Sequence, residues 1–216
     1  MMTSEKEQLS PLGPDSASSD PLERLLREHL EEFVSGNRAA RVVAQGLHVI
    51  GVGFRPLLDH LAFRTLDSEE RAREFETYGY MFDASLGVLE YDSWQTKVYR
   101  RTGYPALLFD QPLEGDKGKA SLIPEWVSTF GDKTLHHAAI LVDNINEAVF
   151  YLEKQGVPFS GKVVGQGGSN LRQTFSMPEI KDGKVFSVLE LVERHEGYTG
   201  FLPHQAAGIM EEARTK

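Results

Sequence analysis

Apolar and polar positions alternate along the chain with two periods, one typical of helices and one typical of strands. Apolar side chains recur at helical spacing early in the chain, at Leu22, Leu25, Leu26, Leu30, Phe33 and Val34. Asp20-Pro21 is typical of a helix start and Gly36-Asn37 of a helix end. A second helical pattern, RAARVVAQGL, follows over residues 38–47. The sequence therefore predicts two helices at the start of its ordered part.

Beyond these helices, a unit of one strand, one helix and three strands occurs twice. In the first unit, PLLDHLAFRTL precedes the helix SEERAREFETYGY, and the strands are MFDASLGVLEY, TKVYRR and YPALLFD. In the second unit, TLHHAAILV precedes the helix INEAVFYLEKQGV, and the strands are FSGKVV, LRQTFSM and KVFSVLELVER. Residues 111–133 connect the units and include a predicted short helix around Trp126. This internal repeat predicts an α+β fold in which two βαβββ modules surround one cleft.

The pattern divides the chain into four parts. Residues 1–19 are rich in Ser, Pro and Asp and poor in apolar residues, so we expect a disordered tail. Residues 20–50 hold the N-terminal helices, and residues 51–133 hold the first module with its connection. Residues 134–216 hold the second module and a C-terminal helix, predicted from GFLPHQAAGIMEEARTK.

Composition narrows the class of partner. The net charge of −9 argues against nucleic acid or an anionic membrane surface as the main partner. No apolar run has the length of a membrane span. The absence of cysteine excludes disulfides and thiolate metal ligands, and it fits a reducing compartment. We therefore predict a cytoplasmic protein with a small-molecule partner. The sequence does not predict an oligomeric state.

Two histidines and one glutamate lie where the repeat predicts a shared site. His60 and His137 each open an H-x-A-apolar strand at the same place in the two units. Glu190 interrupts the apolar strand FSVLELV, and a buried carboxylate requires a partner. Two imidazoles and one carboxylate form a facial triad that suits Fe(II), and the same ligands also suit Mn, Co, Ni or Zn.

Two members of this set, His137 and Glu190, have an alternative. His136 also fits the H-x-A pattern, but His137 is preferred because it lies eight residues before Ile145, where the following helix begins. Glu193 is the alternative to Glu190, and its place near the strand end predicts exposure. The remaining histidines show no ligand spacing and are expected to be structural or exposed; they are His29, His48, His195 and His204.

Three further side chains are predicted to meet a substrate. Arg64 shares a strand face with His60 and can hold a distal carboxylate, although a salt bridge to a local acid is an equal alternative. Gln173 and Phe175 share one face of a strand that is expected to lie beside Glu190. Gln173 can orient a keto acid there, and its alternative is an ordinary polar residue of the sheet.

The repeat and its motifs resemble known enzymes. Its layout resembles the vicinal oxygen chelate superfamily. DHLAFRT, YGY and HHAAILV resemble the 2-oxoadipate dioxygenase/decarboxylase family, also called hydroxyglutarate synthase. LRQTFSMPEIKDGKVFSVLELVER is similar to a stretch of 4-hydroxyphenylpyruvate dioxygenase. Together these similarities span residues 22–212, and this chain is shorter than the full-length oxoadipate enzymes.

The resemblance implies a function for each predicted site residue. It implies Fe(II) held by His60, His137 and Glu190, a substrate carboxylate bound by Arg64, and a substrate contact from Gln173. The implied reaction is the oxidative decarboxylation of a 2-oxo acid by O2, with a dicarboxylate such as 2-oxoadipate as the expected substrate. Two alternatives remain: a metal-dependent isomerase or lyase of the glyoxalase type, and a protein of this superfamily that binds a ligand without catalysis.

Overall fold

The structure is a computed structural model that describes residues 20–203. The predicted tail at residues 1–19 and the predicted C-terminal helix beyond residue 203, with His204, lie outside the described residues. The helices are α1 (Pro21–Gly36), α2 (Arg38–Val49), α3 (Ser68–Glu76), α4 (Gly115–Gly118), α5 (Ile123–Phe130) and α6 (Ile145–Lys154), with a 3₁₀ turn at Arg55–Leu57. Within residues 20–203, no helix is both long enough and apolar enough to span a membrane.

The strands form one mixed sheet, so the α+β prediction is confirmed. The strands are β1 (Leu58–Arg64), β2 (Met81–Phe82), β3 (Val88–Glu90), β4 (Trp94–Arg100), β5 (Ala106–Pro112), β6 (Leu135–Leu141), β7 (Leu171–Phe175), β8 (Glu179–Lys181) and β9 (Lys184–Arg194). Their order is β2-β4-β5-β1-β6-β9-β7, with β3 added to β4 and β8 added to β9. Strands β1 to β5 and β6 to β9 thus form two halves that meet where β1 pairs with β6.

The pairing at this junction is reciprocal. His60 pairs with Ala139 and Ala62 pairs with His137 in the antiparallel β1–β6 ladder. Each of these strands also has a parallel neighbour, because β1 pairs with β5 and β6 pairs with β9. The two predicted units are therefore related by a local twofold arrangement. It brings the first strand of each unit, with its histidine, to the centre of the sheet.

Helices α1, α2, α3 and α6 cover one face of the sheet, and the other face, which α5 borders, is concave. Leu61 and Phe63 of β1, and Ala138 and Ile140 of β6, pack in the main core with α1, α2, α3 and α6. Successive side chains of a strand point to opposite faces, so the residues that alternate with these four face the concave side. Ala62 and Ala139 lie there in two smaller clusters. The concave face is where the predicted site residues gather.

The helix start and the helix end predicted in the first part of the chain are present. Asp20 accepts a hydrogen bond from the Leu22 backbone N–H at 2.9 Å and begins α1. Asn37 ends that helix and caps α2, accepting from the Ala40 N–H at 3.0 Å. Such caps satisfy N–H groups that have no partner within the helix.

Two predicted strands differ from the structure. The stretch FSGKVV makes only isolated bridges, at Phe159 and Val164, because it runs along β7 without a continuous ladder. The stretch MFDASLGVLEY is broken into β2 and β3 by a turn at residues 83–87. The β8–β9 hairpin was not predicted. It turns through Asp182-Gly183, both at positive φ, as Asp-Gly hairpin turns require.

Candidate metal centre and adjoining cavity

His60, His137 and Glu190 meet on the concave face of the sheet. His60 Nε2 lies 3.2 Å from His137 Nε2 and 3.1 Å from Glu190 Oε2, and His137 Nε2 lies 3.4 Å from that oxygen. All three side chains are buried. They come from three adjacent strands, β1, β6 and β9, in which Ala139 of β6 pairs with both His60 and Glu190.

The spacing of these atoms fits one metal ion. Nitrogen and carboxylate oxygen ligands lie about 2.0–2.2 Å from a divalent metal, which separates neighbouring ligand atoms by about 2.8–3.6 Å at octahedral or tetrahedral angles. The three observed separations fall within this range. Residues 20–203 therefore contain a buried His-His-Glu group that can hold a divalent metal.

The electrostatics of the group favour a cation at its centre. Burial alone would lower the pKa of His60, but the carboxylates of Glu190 and Asp59 raise it to about 9. Burial and the neighbouring His60 hold the pKa of His137 well below its usual range. Asp59 is paired with Arg194, but no lysine or arginine pairs with the buried Glu190 in residues 20–203, so a cation at the centre would balance its charge.

A β-bulge precedes each histidine. The β1–β6 register shifts between Leu58 and His60, and again between Ala62 and Phe63. Asp59 is the extra residue at the first shift, and His136 is the extra residue at the second. A bulge re-aims the side chain of its extra residue. Asp59 and His136 therefore reach the concave face, where strict alternation would place them among the helices.

Asp59 holds the ring of His60. Its Oδ2 accepts a hydrogen bond from His60 Nδ1 at 2.7 Å, and both carboxylate oxygens accept from Arg194, at 2.6 and 2.8 Å. Burial would raise the pKa of Asp59, but the hydrogen bonds from His60 and Arg194 hold it well below its usual range. A carboxylate behind a ligating imidazole fixes the ring orientation and leaves Nε2 free for a metal.

The chain that follows β9 covers this part of the site. Arg194 Nη1 donates to the carbonyl of Gly200 at 2.7 Å. The ring of Phe201 lies edge-on to His60, with centroids 5.2 Å apart. Phe201 and Leu202 both line a small cavity of about 40 Å³ beside the triad. Arg194 thus connects the orientation of His60 to the covering segment.

Leu108 occupies the position in the first module that Glu190 occupies in the second. Ala139, two residues after His137, pairs with Glu190, and Ala62, two residues after His60, pairs with Leu108. Leu108 lines the small cavity beside the triad. The twofold arrangement thus offers four positions around the centre, and the chain places a metal-binding side chain at three of them.

A second cavity of about 500 Å³ adjoins the triad and contains Arg64. Tyr91, Trp94, Asp110 and Phe175 line both cavities, so the larger cavity lies directly beside the small one at the triad. The side wall of the larger cavity is mostly apolar and aromatic, and it includes Trp126 of α5. Pockets of this size and character commonly bind small molecules.

Arg64 is buried at the inner side of this cavity. Its guanidinium lies over the Trp126 ring, 5.5 Å from the centroid, and its Nε has no hydrogen-bond partner. No carboxylate within residues 20–203 lies within 4 Å of it, and the nearby Asp110 instead accepts from Thr96 at 2.6 Å. Burial lowers the pKa of Arg64 to about 10, and the charge of Asp110 opposes this. The described residues therefore contain no direct salt bridge to Arg64, although Asp110, which pairs with it in the β1–β5 register, acts on it at longer range.

Gln173 and Phe175 lie beside the triad, on the strand next to Glu190. Both line the small cavity, and Phe175 pairs with Glu190 across β7 and β9. The Phe175 ring lies 5.5 Å from the ring of His137. Gln173 is buried.

Glu193, the alternative to Glu190, faces the other side of the sheet. The prediction that it is exposed is wrong, since Glu193 is only 5% exposed. Its Oε2 accepts from the backbone N–H of Ile145 at 2.7 Å, and its carboxylate pairs with Arg172 and His195. Glu193 thus caps the start of α6, where the helix dipole favours a negative charge.

The structure also brings residues to the site that were not predicted from the sequence. Asp110 lines both cavities, and burial raises its pKa to about 6 although Thr96 and Arg64 oppose the shift. The sequence did indicate Asp110. It is the single carboxylate of the stretch YPALLFD, and it lies two residues after Leu108, so the two side chains point to the same face of the strand. Asp59 gave no such indication, and His136 was considered only as an alternative metal ligand, because the orientation of both side chains depends on the bulges.

Comparison with solved structures confirms the predicted vicinal oxygen chelate fold. A protein from Shewanella frigidimarina NCIMB 400, provisionally named a hydrolase, matches with a TM-score of 0.71 over 86% of this chain and 99% of its own, at 16% identity. A provisionally named glyoxalase superfamily protein from Ralstonia eutropha JMP134 matches with a TM-score of 0.65 over 89% and 92%, at 14% identity.

A more remote match is a mutant of 4-hydroxymandelate synthase from Streptomyces coelicolor. It has a TM-score of 0.52 and 19% identity, over 74% of this chain and 54% of that one. No protein-family model matches the chain, and no curated protein matches it. At these identities the similarity shows the fold alone.

Proposed function

We propose that the protein is a metal-dependent enzyme in which His60, His137 and Glu190 hold Fe(II), and that it oxidatively decarboxylates a 2-oxo acid. The observation that carries this proposal is the three-membered ligand set, with Leu108 at the fourth position. Three ligands on one side leave open positions for substrate, as in non-heme Fe(II) oxygenases. Bound Fe(II) would supply the redox chemistry that couples reduction of O2 to loss of CO2. The sequence motifs that resemble 2-oxoadipate dioxygenase/decarboxylase support the same reaction.

The proposed substrate is a dicarboxylic 2-oxo acid such as 2-oxoadipate. Arg64 supports this, because it is a buried cation without a carboxylate partner in a cavity that adjoins the triad. When the 2-oxo end of the substrate lies at the triad, only a second carboxylate can reach Arg64. A guanidinium binds a carboxylate through two parallel hydrogen bonds, which fixes the direction of the substrate.

The other side chains have proposed roles in binding and positioning. Gln173, beside the triad, would donate a hydrogen bond to the 2-oxo end of the substrate, and Phe175 would pack against the substrate chain. Asp59 would keep His60 in its ligating orientation. Phe201 would exclude water from the side of the site that it covers.

Asp110 favours a second candidate, a metal-dependent isomerase or lyase. It is a buried carboxyl group with a pKa raised to about 6, mainly by burial, and it lines both cavities. A general base works best when its pKa lies near the working pH. In this candidate, Asp110 would remove a proton from a substrate that is polarised by a redox-inert metal.

An oxygen electrode distinguishes these candidates. Fe(II)-loaded protein is supplied with 2-oxoadipate, 2-oxoglutarate, 2-oxohexanoate and 4-hydroxyphenylpyruvate, and both O2 uptake and CO2 release are recorded. We expect equal amounts of O2 consumed and CO2 released with a dicarboxylate, and neither with Glu190→Ala. Anaerobic addition of that substrate should give a visible absorption band that is lost when O2 enters. Conversion of a substrate without O2 uptake would reject the dioxygenase and favour the isomerase.

A further inference from the structure

His136 faces the larger cavity although its neighbour His137 faces the triad. Leu135 packs in the core on the helix side, and the bulge in β6 turns the next residue, His136, toward the concave face. His136 is 2% exposed, and it lines the cavity together with Arg64 and Trp126. A buried polar ring at a bulge beside a binding cavity requires an explanation.

One nitrogen of His136 is committed to His137. Their Nδ1 atoms lie 3.1 Å apart, so one of them must carry the hydrogen and the other must accept it. If His137 binds a metal through Nε2, as the proposed function requires, its hydrogen lies on Nδ1. His137 then donates and His136 Nδ1 accepts, which places the hydrogen of His136 on Nε2.

The other nitrogen of His136 is free to bind a ligand. His136 Nε2 makes no hydrogen bond to any protein atom in residues 20–203, and its ring lines the 500 Å³ cavity. The indole N–H of Trp126 is not available as a donor, because it donates to the carbonyl of Phe186 at 2.9 Å. Asp110 accepts from Thr96 through Oδ1, and no hydrogen bond joins it to His136 in residues 20–203.

We propose that His136 is a substrate-binding residue whose Nε2–H, together with the Arg64 guanidinium, binds the distal carboxylate of the substrate. This inference rests on the proposed function, and it assigns a second donor to the same end of the substrate. Arg64 supplies the charge, and His136 supplies a directional hydrogen bond to a carboxylate oxygen. The same bulge gives His136 a second role, because its Nδ1 holds the ring of His137 as Asp59 holds that of His60.

Two substitutions separate these roles. In His136→Asn, the amide oxygen can still accept from His137 Nδ1, but the shorter side chain places no donor at the position of Nε2. In His136→Phe, both hydrogen bonds are lost. Binding of 2-oxoadipate and of 2-oxohexanoate, its monocarboxylic analogue of equal length, is measured by calorimetry on Zn(II)-loaded protein, so turnover is not needed. Lys184→Met is the control, because Lys184 lines the same cavity but pairs with Glu125 at 2.8 Å.

We expect His136→Asn to keep its Zn(II) and to bind 2-oxoadipate roughly ten- to a hundredfold more weakly, as for a lost hydrogen bond to a charged group. The loss of affinity of this variant for 2-oxohexanoate should be several times smaller. His136→Phe should also bind Zn(II) more weakly, by roughly tenfold or more. The Kd of Lys184→Met for each acid should stay within about twofold of the wild-type value. Equal losses for the two acids in His136→Asn, or no loss, would overturn the proposal.

An NMR measurement keeps the inference separate from the proposed reaction. In the ¹⁵N spectrum of Zn(II)-loaded protein, His136 should be protonated on Nε2, and this signal should shift when glutarate is added. Glutarate carries two carboxylates but no 2-oxo group, so the result does not depend on 2-oxo acid chemistry. A His136 protonated on Nδ1, or an Nε2–H signal that glutarate leaves unmoved, would overturn the proposal. Failure of 2-oxo acids to bind, with this signal shifting, would instead reject the proposed function.

Discussion

Replacing Asp59 by Asn tests whether the carboxylate behind His60 supports metal binding. Asp59 accepts from His60 Nδ1 at 2.7 Å and is paired with Arg194. The neutral amide carries no charge, and it replaces one of the two acceptor oxygens by an NH2 group, which cannot accept from His60 or Arg194. The structure therefore predicts that Asp59→Asn weakens metal binding without removing a ligand.

The magnitude follows from the kind of contact that is lost. Loss of a partner behind a ligating histidine typically lowers metal affinity by 10- to 100-fold, or about 1.4–2.7 kcal/mol. A hydrogen bond to a charged group contributes about 1.5–3 kcal/mol, which agrees with this range. We expect the Kd for Zn(II) or Co(II), measured by competition with a chromogenic chelator, to rise roughly ten- to a hundredfold.

Asp83→Asn is the matched control. Asp83 pairs with Arg100 at 2.7 Å, and its side chain is 16% exposed, against 12% for Asp59. It does not contact a histidine, so metal affinity should stay at the wild-type value. The reasoning would be refuted if Asp59→Asn bound metal with wild-type affinity and lost only as much stability as Asp83→Asn. That result would show that Asp59 only holds Arg194 in place.

The same substitution predicts a pH dependence of stability in metal-free protein. The pKa of Asp59 is lowered in the folded protein, so its ionised form stabilises the fold above the unfolded-state pKa of about 4. This contribution is lost as the pH falls further. The difference in free energy of unfolding between wild type and Asp59→Asn should therefore be largest near neutral pH and shrink below about pH 4, as measured by urea unfolding.

Three further substitutions test neighbouring parts of the account. Arg64→Lys should lower kcat/KM for a dicarboxylic 2-oxo acid roughly ten- to a hundredfold and leave metal content unchanged. An equal fall in kcat/KM for a monocarboxylic 2-oxo acid would show that Arg64 has a structural role. Leu108→Glu should add a fourth ligand, so that metal is kept while binding of 2-oxo acids by calorimetry is lost; unimpaired binding would contradict the assignment of the fourth position. Glu193→Gln should destabilise the protein by about 1–3 kcal/mol in urea unfolding, because it weakens the cap at Ile145, and loss of metal there would contradict its place outside the site.

Strand parity was enough to predict much of the candidate site. His60, Ala62 and Arg64 share a face because side chains alternate along β1, and Gln173 shares a face with Phe175 for the same reason. The repeat supplied the rest, because equivalent strands in two related modules meet at one cleft. Local spacing along each strand and the order of the elements are therefore enough to place these side chains.

What the sequence could not predict depends on contacts between distant segments. The bulges at Asp59 and His136 arise from the register of β1 against β6, which lie more than seventy residues apart in the chain. Glu193 is buried because α6 begins above it, a contact with Ile145 that no local pattern reveals. The stretch FSGKVV has the composition of a strand, but its only pairings are isolated bridges beside β7.

The most direct test of the central claim is the metal content of single variants. The account predicts about one transition metal per chain in wild-type protein purified without chelator, and a loss of most of it in His60→Ala, His137→Ala and Glu190→Ala. His136→Ala should retain more metal than these three variants, because His136 supports the ring of His137 but is not itself a ligand. Elemental analysis measures all five proteins in one experiment. Metal retained by His137→Ala but lost by His136→Ala, or retained by all three triad variants, would contradict the account.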